Sequence, residues 1–173
     1  MSAKTWTTQT LPRIECSIVE LCVFKRTKKG PLFLLLKRSS GEKLYPGMWQ
    51  IITGKIKRGE KAMSAALREL MEETGFSAIR FWVAPIVGSF FDPSKDRVQM
   101  CPLFAAEVAS SASPKLSEEH QEYEWASFKR TQELLVWPGH LDAVKIVRDF
   151  IVAGREAASL TELESEVSER DKS

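Results

Sequence analysis

Glu69, Glu72 and Glu73 place three acids within a stretch that reads as one helix. Lys61 to Thr74 carries the helix formers Ala62, Met63, Ala65, Ala66, Leu67, Leu70 and Met71 and neither proline nor glycine. Gly75 follows as a residue that can take the left-handed helix stop. At roughly 100° per residue, the three carboxylates fall at about 0°, −60° and +40° and share one arc. Met63, Leu67, Leu70 and Met71 centre on the other side and ask for a core. Acids spaced i, i+3 and i, i+4 repel each other, and acids near a helix C-terminus also oppose the macrodipole. A helix built only for structure would carry Lys or Arg there. A divalent cation removes the conflict, because Mg²⁺ takes hard carboxylate oxygens and is completed by waters and substrate phosphates. Arg68 could orient one acid through a charge-assisted hydrogen bond. Upstream stand Glu60, where a loop meets the helix, and Gly54, where the backbone can approach a ligand closely. A lone acidic pair would read as a solvated face; here glycine, acid, Arg-Glu pair, Glu-Glu pair and closing glycine coincide.

The pattern G, five residues, E, seven residues, R-E-apolar-x-E-E-x-G-apolar resembles the Nudix box. Gly54, Glu60, Arg68, Glu69, Leu70, Glu72, Glu73, Gly75 and Phe76 match its fixed positions. The resemblance implies an α/β fold, an α/β/α sandwich around a mixed sheet, with the box as loop–helix–loop. It implies Mg²⁺- or Mn²⁺-dependent attack of water on a nucleoside diphosphate linked to another group. Glu69, Glu72 and Glu73 would hold the metal, helped by the Gly54 carbonyl, with Arg68 and Glu60 bracing them. The substrate class implied is a nucleoside triphosphate or related small triphosphate. A dinucleoside polyphosphate or nucleotide sugar is the alternative, and a non-catalytic nucleotide-sensing domain the more distant one.

A second acidic segment, Glu118-Glu119-His120-Gln121-Glu122-Tyr123-Glu124-Trp125, follows a polar connector, Ser110 to Ser117. It resembles the E-H-x-x-x-x-W segment of many Nudix enzymes, where a loop acid joins the metal site or acts as general base. Glu119 is the match, with Glu118 and Glu122 as competitors. His120 reads as structural or exposed before it reads as an acid–base group. The local sequence around Trp49-Gln50, Thr53-Gly54 and Trp125 also resembles dihydroneopterin triphosphate (dATP) pyrophosphohydrolases.

These groups need a scaffold. Arg13 to Phe24 reads as one long strand, and Pro31 to Lys37 as its hairpin partner across a basic turn. Lys37-Arg38 ends that strand either as a solvated pair or as a phosphate contact. Trp49 to Ile52 makes a brief strand into Gly54, with Trp49 read as core before substrate stack. Lys55, Lys57, Arg58 and Lys61 make the box loop basic, solvated or steering a polyphosphate. Phe76 to Phe91 reads as strands broken near Pro85 and Gly88, and Val98 to Val108 as a strand whose Pro102 suggests an edge or bulge. Phe90, Phe91 and Arg97 read as hairpin packing and surface charge, or as groups reaching a base or phosphates. Thr131 is the expected cap of a short helix, and a second helix begins at His140. Ser159 to Glu162 resembles a capping box ahead of a Leu160, Leu163, Val167 stripe.

The chain has 173 residues and a formal net charge of +2. That length suits one domain with a full core, and that charge argues against a large nucleic-acid surface. Cys16, Cys22 and Cys101 are an odd number without metal-type spacing, read as reduced thiols of a cytoplasmic protein. No apolar run approaches a membrane span. The expected layout is a flexible arm at 1–12, a Nudix domain at 13–153 and a helical or disordered tail at 154–173. The tail reads as a frayed extension, with a homodimer contact as the alternative.

Overall fold

The computed structural model describes residues 11–164. Its centre is a nine-stranded mixed sheet. The strands are β1 (Arg13–Glu15), β2 (Ile18–Thr27), β3 (Gly30–Arg38), β4 (Trp49–Gln50), β5 (Ile52–Lys55), β6 (Arg80–Asp92), β7 (Arg97–Glu107), β8 (His120–Ala126) and β9 (Glu162–Leu163). The main path runs β4-β3-β2-β7-β6-β9; β5 pairs with β2, β8 with β3 and β1 with β7. β7 lies parallel to both β1 and β2, and the remaining pairings are antiparallel.

Strand alternation builds two cores, one on each face. Val19, Leu21 and Val23 of β2 face α1 (Ala62–Thr74) and meet Ala65, Ala66 and Leu70. Cys22 and Phe24, alternating with them, face the other way with Trp82 and Leu103. That face is covered by α2 (Phe128–Leu134) and α3 (Pro138–Ile146), whose Ala143 and Val144 are buried there. From Ile18 to Phe24, β2 is apolar at every position but Glu20 because both of its faces are covered, the pattern of a central strand. The result is the expected α/β/α sandwich.

Several local readings change. The long first strand is two: β1 and β2 separate at Cys16-Ser17, where Ser17 Oγ donates to Gln99 and its carbonyl accepts from Ile56. β6 runs unbroken through Pro85, and the sheet absorbs the proline as a register shift between Val83 and Val87. The cap of α2 is Ser127, whose Oγ accepts from Arg130 N. Thr131 lies inside that helix, buried, donating to the Phe128 carbonyl at 2.7 Å. α3 begins at Pro138, whose missing N–H costs nothing in a first turn, and runs on as a π-helical turn, Val147–Val152. Ser159 stands inside a 3₁₀ turn, Glu156–Thr161, and its hydroxyl donates to the Glu156 carbonyl, so no capping box forms. Ala158 is buried there and β9 pairs with the start of β6. Trp6 and Val167 lie outside the described residues. None of the described helices is long and apolar enough to cross a membrane.

Leu70 anchors α1 to the sheet and is fully buried. Leu70→Ala should cost about 2–5 kcal/mol of stability in a denaturant titration.

Candidate active site

α1 carries the acids, and two devices fix it. At its end Gly75 takes φ 73° and its N–H donates to the Met71 carbonyl at 2.8 Å. The loop ahead of β8 then closes on the last turn: Lys115 N donates to Thr74 O, and Ser117 N to Glu73 O. These bonds satisfy carbonyls that a helix end otherwise leaves open. The same loop is tied to the end of β3, where Ser39 N donates to Glu119 O at 2.8 Å and Ser39 Oγ to Glu118 O at 2.7 Å. Glu119, distant in sequence from the box, is thereby held beside it.

The helix is rotated from the sequence reading. Ala65, Ala66, Leu70, Glu73 and Thr74 are the buried set, while Met71 is 49% exposed. Glu73 thus belongs to the inner side, at 4% exposure, and Glu72 stays exposed. One acid has been carried into the protein and another left in water.

Arg68 organises the rest. Its Nε and Nη2 donate to the two oxygens of Glu60, at 2.8 and 3.0 Å. Nη1 donates to Glu69 at 2.7 Å and Glu72 at 2.8 Å, and Nη2 also reaches the Lys55 carbonyl at 2.9 Å. All the donors of the guanidinium fork are used. Glu60 also accepts from Lys57 N, and its pKa is held down to about 2, by Arg68 first and then by that backbone donor. Glu60 therefore stays ionised and clamps the box loop to the helix.

Gly54 explains itself by contact. A Cβ there would stand 2.1 Å from Glu69 Cγ, so only glycine lets β5 pass the Glu69 side chain. Burial raises the pKa of Glu69, against the pull of Arg68. Glu73 is raised well above the usual carboxylate range, by burial first, then by Glu69 and Glu119, with Arg38 opposing. Among the described residues its Oε2 is buried without a hydrogen-bond partner. His120 Nδ1 stands 3.7 Å from it, itself buried and unpartnered among the described residues. His120 Nε2 meets Gln50 Nε2 at 3.3 Å, and an amide nitrogen only donates. The imidazole proton therefore sits on Nδ1, towards Glu73. Burial takes the His120 pKa down to about 4, which keeps the ring neutral.

The other sequence candidates fall into place around this core. Arg38 acts on Glu73 through its charge, while its own hydrogen bonds go to Glu42 and the Leu44 carbonyl. The side chain of Lys55 is exposed beside the box. Of the rivals to Glu119, Glu118 is exposed and Glu122 pairs with Lys37 at 3.0 Å. Trp49 is partly buried against the α3-side core, and Arg97 is bound by Glu15 and Asp92. Gln50 entered the sequence reading only as a neighbour of Trp49 in a local resemblance, since nothing local to it shows that β4 brings it against His120.

The donor set suits a divalent ion: hard carboxylates, one orphaned buried oxygen, and a backbone that glycine brings against them. Among the described residues no three acid or imidazole side chains converge on one point as they stand. Nη1 of Arg68 bridges one oxygen each of Glu69 and Glu72.

The NUDIX domain profile matches residues 18–150. The chain belongs to the Nudix family. Members of this family of hydrolases generally use divalent metal ions. Nucleoside triphosphatase NudI of Escherichia coli K12 is 29% identical over 100 residues, covering 54% of this chain and 71% of the relative. A protein named octanoyltransferase from Myxococcus xanthus is 32% identical over 103 residues, 57% of this chain, but this chain spans only 28% of its length. A Nudix hydrolase structure from Listeria monocytogenes superposes with TM-score 0.67 at 24% identity, covering 79% of this chain and 94% of the other. That likeness supports the Nudix fold.

The Glu73 pKa is raised on folding, so the stability tied to its protonated form is complete below the unfolded value near 4.5 and is lost as pH rises through the folded value. Glu73→Gln should therefore melt higher than the wild type in chelator at neutral pH. The gap should shrink as pH falls towards 4.5; a gap independent of pH would contradict the burial account.

Proposed function

We propose that the protein is a divalent-metal-dependent pyrophosphohydrolase that cleaves a nucleoside triphosphate or related small triphosphate by water attack on its diphosphate linkage. The observation that carries this reading is the Glu73 carboxylate, buried without a partner between Glu69 and the loop of Glu119. An uncompensated buried acid costs several kcal/mol, and a bound cation would reverse that penalty. The triphosphatase name of the NudI relative supports the substrate class.

In this reading Glu69, Glu72, Glu73 and the Gly54 carbonyl hold Mg²⁺ or Mn²⁺. When bound, the ion polarises the phosphorus and lowers the pKa of water. Arg68 is the positioning residue: it holds Glu69 and Glu72 together while Glu60 fixes it in turn. Lys55 and Arg38 bring positive charge to the phosphates from the two sides of the box. Glu119, exposed and with its main chain held by Ser39, accepts the proton from the attacking water, with the box acids as the alternative.

The test is product release from a panel of nucleoside triphosphates, dinucleoside polyphosphates and nucleotide sugars, with Mg²⁺ and then Mn²⁺. Pyrophosphate release from a triphosphate, lost in Glu73→Gln, is the expected result. Turnover of only a dinucleotide or sugar conjugate would move the substrate, and no metal-dependent turnover would refute the proposal. Glu119→Gln should lower kcat by about 10²-fold. Glu122→Gln should leave it within about twofold, because Glu122 faces Lys37 and its contribution is that of an exposed ion pair.

A further inference from the structure

On the α3 face of the sheet the lining changes character along β2 and β7. Under α3 it is apolar, with Cys22, Phe24, Leu103 and Ala105. Towards the β6–β7 turn it becomes polar. Glu20 is buried to 9% exposure, Gln99 is fully buried, and Ser17 donates to Gln99 Oε1 at 3.1 Å. Glu20 is set opposite Thr53 on β5 and opposite Leu103 on β7. Its carboxyl reaches across β7 to β6, where a Cβ on Gly88 would stand 3.0 Å from Oε2. Glycine at that point leaves the carboxyl room. Phe90, two residues further along β6, shares this face through its pairing with Gln99 and is 50% exposed.

Among the described residues no cation or hydrogen bond offsets the burial of Glu20, and burial raises its pKa to about 7. The nearby thiol of Cys101 is pushed up to about 12 by burial, with the charge of Glu20 adding to it. A carboxyl in such a place costs stability and does no packing that Leu or Met would not do better. Thr53, its neighbour across β5, directly precedes Gly54 at the acidic site. Thr53 and Gly54 face opposite sides of the sheet, but among the described residues β5 pairs only with β2. A ligand whose phosphates lie at Gly54 could therefore pass round its unpaired edge and place a ring over this polar floor, with Phe90 as an apolar rim.

Resting on the triphosphate reading above, we propose that Glu20 reads the base of the substrate, accepting from a ring N–H and the exocyclic NH₂ beside it. That two-donor edge, a 2-amino lactam, is found on guanine and on other rings of the same pattern. A carboxylate matches it with two parallel hydrogen bonds. Adenine and uracil do not present it, and hypoxanthine lacks the amino group. Gly88 keeps the carboxyl free to turn towards the ring.

Calorimetric binding of GMP and IMP at millimolar concentration, with wild type, Glu20→Gln and Gly88→Ala, tests this without turnover. Wild type should bind GMP at least about tenfold more tightly than IMP, the cost of an unmet charged hydrogen bond. Glu20→Gln should bring the two within about threefold, because an amide cannot accept both donors. Gly88→Ala, which crowds Oε2, should narrow the gap in the same direction and serves if Glu20→Gln does not fold. Equal GMP and IMP affinity in wild type, or an unchanged ratio in both variants, would overturn the assignment. Replacing guanosine with a 2-amino-4-oxopteridine separates the two sources of this edge: binding of both supports the shared edge, and equal loss in Glu20→Gln assigns it to Glu20. Should the triphosphate panel show no turnover while the GMP preference holds, the hydrolase reading fails and the base-reading role stands.

Discussion

The structure depends on how an arginine handles negative charge that one helix cannot hold alone. Arg68 gathers Glu60, Glu69, Glu72 and the Lys55 carbonyl around a single guanidinium. Without it, acids at i, i+3 and i, i+4 near a helix end would repel each other and oppose the macrodipole. The fork also clamps the loop to the helix, so the loop cannot move without breaking charge-assisted bonds at both ends. Glu73 is the acid outside this arrangement. It is pushed inward, and burial raises its pKa well above the usual carboxylate range.

The sheet makes the arrangement possible. β5 delivers Gly54 against Glu69 because β2 holds β5 in register opposite Val19. The Glu119 loop is tied to Ser39 beyond the end of β3 and to the last turn of α1, through backbone bonds and the Ser39 hydroxyl. The acidic site therefore draws on parts far apart in sequence, joined by strand pairing rather than by side-chain packing. That use of rigid elements suits a site whose acids must stay close despite their repulsion.

How much of this the sequence discloses depends on the range of the interaction. Arg68, Glu69 and Glu72 were legible because helical spacing alone places them together. The box glycine was legible as a close approach, and its partner Glu69 only from the strand position. The inward turn of Glu73 was not legible, since a helix wheel gives angles between residues and not where the core lies. The proton on His120 Nδ1 depends on Gln50, brought near by β3 pairing with both β4 and β8. The misplaced cap of α2 has a local cause: Ser127 and Thr131 both suit the role, and only the burial of Thr131 decides between them. Glu20 gave no signal because one acid in an apolar strand looks the same whether it faces water, a ligand or the core.

The most direct test of the central claim is Mn²⁺ binding followed calorimetrically in buffers of different ionisation enthalpy. The account predicts that binding releases a proton, from Glu73, and that Glu73→Gln weakens binding and abolishes the release. Equal affinity in wild type and Glu73→Gln, with no proton released by either, would show that the buried acid is not a metal ligand.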